Sequence, residues 1–165
     1  MRTRTLLVLL AGALFGCLPA EGDARIESPS AEPNAASCSA SFEPGFDPVS
    51  DLARLTAACA AGLEAVTPVK VGDEQGESAD ADRFSFRGRA GRCYRVFAVG
   101  SPEIADLDIA VVDAEGRLAA ADLSGDRFPI APPTGYLCLK SDQLFTIQIG
   151  VMGGSGSYLV QVWGS

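Results

Sequence analysis

Phe145-Thr146-Ile147-Gln148-Ile149-Gly150-Val151 places an apolar residue at every second position and a polar or small one between. A repeat of two sends alternate side chains to opposite faces of an extended chain, so this stretch predicts a strand with one buried face. The same period recurs from Val66 onward. Strands are predicted at Val66–Val71, Arg83–Arg87, Cys93–Val99, Leu107–Val112, Arg117–Ala121, Tyr136–Lys140, Phe145–Val151 and Tyr158–Trp163. The separators, among them GDEQGESADAD, GRAG, DAEG and GGSG, all carry Gly, Pro or Asp, the residues of turns. Eight strands without a second helix predict an all-β fold: an antiparallel eight-stranded sandwich, jelly-roll-like, over residues 66–165.

Alternation also assigns faces. Phe84 and Phe86, then Leu107, Ile109 and Val111, then Phe145, Ile147, Ile149 and Val151 point to the core, while Arg83, Ser85, Arg87, Asp108, Thr146 and Gln148 point away. Cys93-Tyr-Arg-Val-Phe-Ala-Val99 is apolar on both faces apart from Arg95, which predicts a central strand and leaves its facing open.

One helix precedes the strands, within residues 38–65. Asp47 suits its N-cap, Pro48 its first position and Gly62 a left-handed stop. Val49, Leu52, Leu55, Cys59 and Leu63 step by three or four and so share a face, which must pack on the sandwich.

Arg2 and Arg4 precede an apolar run, Leu6 to Phe15, that is too short to span a bilayer, the layout of an export signal over residues 1–16. Leu14-Phe15-Gly16-Cys17 resembles a bacterial lipobox, which implies cleavage before Cys17 and its lipidation; the rival is ordinary cleavage after Ala20. Residues 17–37, rich in Pro, Ala, Ser and Glu, then read as a disordered tether; its nineteen residues Leu18–Ala36 reach about 25 Å. Leu18, where enteric-type sorting uses Asp for inner-membrane retention, implies the outer membrane.

Either cleavage leaves Cys38, Cys59, Cys93 and Cys138, and in an exported chain four thiols read as two disulfides. Cys59 on the buried side of the helix lies within chain reach of Cys38. Cys93 and Cys138 both face outward on neighbouring strands if Tyr94, Val96, Leu137 and Leu139 face inward. The favoured pairs are therefore Cys38 with Cys59 and Cys93 with Cys138, worth about 3 and 4 kcal/mol by loop entropy.

The chain's formal charge is -8, and loss of Arg2 and Arg4 takes it to -10. That balance argues against nucleic acid as a partner and against a basic recognition face.

From Asp80 to Trp163, the succession DADRFSF, AGRCYRVFAV, DLDIAVVDAEGRLAAAD and GSGSYLVQVW resembles the bacterial pre-peptidase C-terminal domain, a small jelly-roll-like sandwich commonly appended to secreted peptidases. The resemblance covers about half the chain. It implies recognition of a substrate or surface, sometimes with calcium, and no catalysis by the domain itself.

Among candidate chemistry, the chain has no His, so the familiar nucleophile and base pairs are absent, and paired cysteines supply no free thiol. Ser155 sits in a hairpin-like GGSGS and not in a strand-to-helix elbow. Gly150–Gly156 is flanked by strands, so it is no phosphate cradle.

Acidic residues gather at Asp73, Glu74, Glu77, Asp80 and Asp82 and again at Glu103, Asp106 and Asp108. Asp80, Asp82, Asp106 and Asp108 are the candidate calcium ligands, and no other cofactor is indicated. Tyr94, Tyr136, Tyr158 and Trp163 would stack on a sugar if exposed together, although strand aromatics more often pack in cores.

The expectation is a non-catalytic envelope lipoprotein, held at the membrane by its lipid, that serves as a binding or structural module for a protein or polysaccharide ligand. The alternatives are an accessory or inhibitory partner of a secreted peptidase, and calcium-dependent carbohydrate or matrix binding.

Overall fold

The computed structural model describes residues 38–76 and 79–165; the expected signal peptide, Cys17 and the tether lie outside the described residues. In chain order the elements are α1 (Pro48–Cys59), β1 (Glu64–Ala65), β2 (Lys70–Gly76), β3 (Asp82–Gly88), β4 (Cys93–Gly100), β5 (Ile104–Val112), β6 (Leu118–Asp122), β7 (Ile130–Ala131), β8 (Leu137–Cys138) and β9 (Gln143–Gly164). Among the described residues every pairing is antiparallel, and the strands form an all-β sandwich, nearly closed like a barrel, with one short helix.

The organising element is β9. Its first half lies between β3 and β5, with β6 beyond β5; its second half lies between β1 and β2 on one side and β4 on the other, with β7 and β8 beyond β4. The two strands expected at Phe145–Val151 and Tyr158–Trp163 are thus one 22-residue strand that passes from one sheet to the other. The GGSG stretch reads as a loop because of its glycines, yet it serves as the crossing. Gly154 has φ 84°, and a Cβ there would meet the Glu103 carbonyl oxygen at 2.2 Å, so only glycine fits the bend.

Other boundaries shift for local reasons. The strand expected at Val66–Val71 breaks into β1 and β2, because Pro68 has no N–H to give a ladder and Val66 and Thr67 both donate to the one carbonyl of Val162 in place of regular pairing. Among the described residues nine strands replace the expected eight. The additional β7 lies beside Pro132 and Pro133 and is only two residues long, too short for a period to appear.

Alternation places the faces as the sequence implies. Phe86, Leu107, Ile109, Val111, Phe145, Ile147, Ile149 and Val151 join Tyr94, Val96 and Ala98 between the sheets. The other face of β4 is buried as well: Phe97 and Val99 pack with Ile130 and Leu159 beneath Leu52, Leu55 and Cys59 of α1.

The ambiguity of β4 is settled by this two-sided burial, and Arg95 faces the helix. Arg95 is 5 % exposed, and its guanidinium donates to the carbonyls of Cys59 (3.0 Å), Pro132 (3.1 and 3.2 Å) and Pro133 (2.7 Å), between the rings of Phe97 and Tyr136. Burial lowers its pKa, against the raising influence of Tyr136 and Asp122.

α1 starts as read: Asp47 accepts from Val49 N and Ser50 N at 3.2 Å, with Pro48 at the first position. Val49, expected on the buried face, is exposed. The inward place in the first turn belongs to Asp51, which accepts from Gly45 N at 2.8 Å and faces Arg127 at 3.8 Å and Arg54 at 3.4 Å. The helix stops at Cys59, with Ala60 N donating to Thr56 O, and Gly62 takes its left-handed φ of 75° in the following turn.

Both disulfides have the expected connectivity. Cys38 joins Cys59 and so ties the segment before α1 to the helix end, and Cys93 joins Cys138 directly across the β4–β8 register. Two such bonds in one small domain point to an oxidising, exported environment.

Candidate functional site

The near-closed barrel has a gap where the edge of β3 faces residues 66–70. Thr67 holds this segment in place: its N–H donates to Val162 O (3.4 Å), its Oγ1 accepts from Val162 N (3.1 Å), and its carbonyl accepts from Gln161 Nε2 (3.1 Å). The detour leaves a cleft of about 270 Å³ with an apolar floor of Phe84, Ile147, Val160 and Val162 and with Lys70, Arg83 and Ser85 at its rim. That volume is near the lower end of ligand cavities, about 300 Å³.

Tyr158 packs edge-on against Phe84 of the cleft floor. It stands opposite Gly72 in the β2–β9 register, where a Cβ would fall 2.1 Å from its ring, and its hydroxyl donates to Asp82 Oδ2 at 2.6 Å. Sequence reading missed this role for Gly72, since close approach of a ring leaves no periodic trace.

From Arg83 at the cleft rim, further arginines follow along β3 and into its turn, where Asp142 accepts from Ala90 N at 2.8 Å. Arg83 and Arg87 on β3, and Arg89 and Arg92 in the turn after it, are all exposed. Among the described residues none of these side chains forms an ion pair, in contrast with Arg54, Arg117 and Arg127. The net charge of -8 conceals this strip and made a basic face look excluded. The signal was present in RFSFRGRAGR (83–92), which holds four arginines and no acid.

The four candidate calcium ligands are not brought together. Asp82 pairs with core-facing Ile149 and points between the sheets at Tyr158, whereas Asp108 alternates with buried Leu107 and Ile109 and so occupies the opposite face of its sheet. Asp80 is exposed, and Asp106 lies on β5 near Asp108. Among the described residues no three Asp, Glu or Cys side chains group closely enough to hold a metal ion. Burial raises the pKa of Asp108, and the charges of Asp106 and Asp122 raise it further. Asp73 and Glu74 lie on β2; Glu77 lies outside the described residues. In the turn before β5, the neighbouring Ser101 holds the exposed Glu103 carboxyl below its usual range.

The four aromatics form no platform. Tyr94 and Tyr158 are core residues, Tyr136 lies by Arg95, and Trp163 packs edge-on to Phe97 with Nε1 donating to Gln161 Oε1 at 2.9 Å. Ser155 lies within the crossing of β9, its N–H directed to Glu103 O.

No protein-family model matches the chain, and no curated protein sequence matches it.

Proposed function

We propose that this chain is a non-catalytic binding module of the bacterial envelope, anchored by lipid at Cys17 and carried on the 17–37 tether at the outer membrane. The cleft between β3 and residues 66–70 is its ligand seat. The observation that carries the reading is the apolar-floored cleft bordered by cations that form no ion pair among the described residues, on a chain whose net charge is negative. Exposed arginines without an ion-pair partner among the described residues favour an external anion at that edge. The two disulfides suit an exported domain, and the antiparallel sandwich suits the resemblance to the pre-peptidase C-terminal domain and its recognition role.

Mass spectrometry of the native mature N-terminus, alongside Cys17→Ser, tests the anchoring. An acylated chain beginning at Cys17, with release of the Cys17→Ser protein from membranes, is the expected result. An unacylated chain beginning at Glu21 overturns the anchor.

A further inference from the structure

We propose that β3 is a docking edge for a partner's extended peptide segment in which acidic and apolar residues alternate. The proposal rests on the cleft being the ligand seat and names what occupies it.

Three observations converge on this occupant. First, among the described residues β3 has β9 as its only strand partner, so the backbone groups on its other side face the cleft and not a neighbouring strand. An unpaired edge of this kind can accept a further strand through main-chain hydrogen bonds. Second, β3 itself alternates: Phe84 faces the cleft floor, while Arg83, Ser85 and Arg87 face solvent. A strand laid beside it would share that alternation, because directly opposed residues on paired strands occupy the same face. Its inward residues would meet Phe84, Ile147 and Val160, which favours aliphatic side chains. Its outward residues would meet Arg83 and Arg87, which favours Glu or Asp. Third, those arginines have no ion-pair partner among the described residues, so among these residues the incoming carboxylates displace none.

Charge also selects against the simplest rival occupant. A second copy pairing β3 to β3 would set arginine rows against each other, and like charges across a strand pair repel. The edge arginines thus oppose self-association while admitting an acidic strand. A purely anionic polymer would meet the arginines but leave the apolar floor unfilled.

The test uses the full mature protein in detergent and a fluorescein-labelled peptide of alternating Glu and Val. Three further ligands are compared: a block arrangement of the same composition, the alternating peptide with every second backbone nitrogen methylated on the edge facing β3, and a polyuronate. The alternating peptide is expected to bind, to weaken at least tenfold on either rearrangement or methylation, and to weaken by about tenfold or more in Arg83→Glu/Arg87→Glu. The melting temperature of that variant, whose changed side chains are exposed, shows that the fold persists. Equal binding of the methylated peptide overturns strand addition. Binding of polyuronate without the alternating peptide overturns the peptide assignment while leaving a binding module in place. No binding of the alternating peptide at millimolar concentration also overturns the proposal.

Discussion

Replacing Arg95 with Met should destabilise the domain by about 3 kcal/mol, and the figure follows from where the guanidinium sits. It donates to the carbonyls of Cys59, Pro132 and Pro133, which belong to the end of α1 and to the segment after β7. Truncation leaves three acceptors without a donor, and each buried orphan costs about 1 to 3 kcal/mol. Removing a desolvated cation returns part of that sum, since burying a charge is itself unfavourable. A net loss of about 3 kcal/mol, with a urea m value of about 1.5 kcal/mol per molar, lowers the unfolding midpoint by about 2 M. The assay is urea denaturation under non-reducing conditions, followed by Trp163 fluorescence and by far-ultraviolet circular dichroism. Arg95→Lys should fall between wild type and Met, because one ammonium cannot span three carbonyls as a planar guanidinium does. If Arg95→Met unfolds at the wild-type midpoint, then the Cys38–Cys59 bond and the packing of Leu52 and Leu55 suffice to hold the helix, and the reasoning fails.

Other consequences follow from individual groups. Burial pushes the Asp113 carboxyl up, but bonds from the N–H of Arg117, its guanidinium and the N–H of Glu115 outweigh it and hold the pKa below its ordinary value. Its stabilising contribution is therefore complete above the unfolded carboxyl pKa of about 3.9 and fades as pH falls through the folded value. The gap in urea midpoint between wild type and Asp113→Asn should narrow from pH 6 to pH 2.5; a constant gap contradicts this. Asp108 has the opposite sign: its raised pKa means the folded state holds the proton more tightly, so stability falls as pH rises above about 4. Asp108→Asn should then be more stable than wild type at pH 7 and equal at pH 3, and a less stable variant at pH 7 would refute it. Gly72→Ala sets a Cβ 2.1 Å from the Tyr158 ring and should cost about 1 to 3 kcal/mol, read as a lower melting temperature; no change would show that the ring shifts freely.

How much of this was legible in the sequence depended on periodicity. β3, β5 and β9 are long enough for a period of two to show, and their inward residues were named from alternation alone; β4, apolar on both faces, was read as central with its facing left open. The disulfides followed from the facing of Cys59, Cys93 and Cys138. What escaped had no periodic trace. The bend in β9 is made by glycines that look like a loop, β7 is two residues beside prolines, and Val49 gave its inward place to Asp51 through contacts with Gly45 and Arg127. The cleft depends on Pro68 interrupting one edge while β3 lies opposite it, a juxtaposition of residues distant in sequence. The calcium set failed to assemble because alternation sends Asp82 and Asp108 to opposite faces, a distinction that a count of acids does not make. The arginine strip was readable in RFSFRGRAGR but was averaged away in the net charge.

Amide hydrogen exchange of the mature protein, with and without the alternating Glu and Val peptide, tests the docking edge most directly. The amides of Asp82–Gly88 that do not bond to β9 should exchange slowly only when the peptide is present, while the opposite edge at Leu118–Asp122 is unchanged. Protection that appears elsewhere with β3 unaltered would contradict the account.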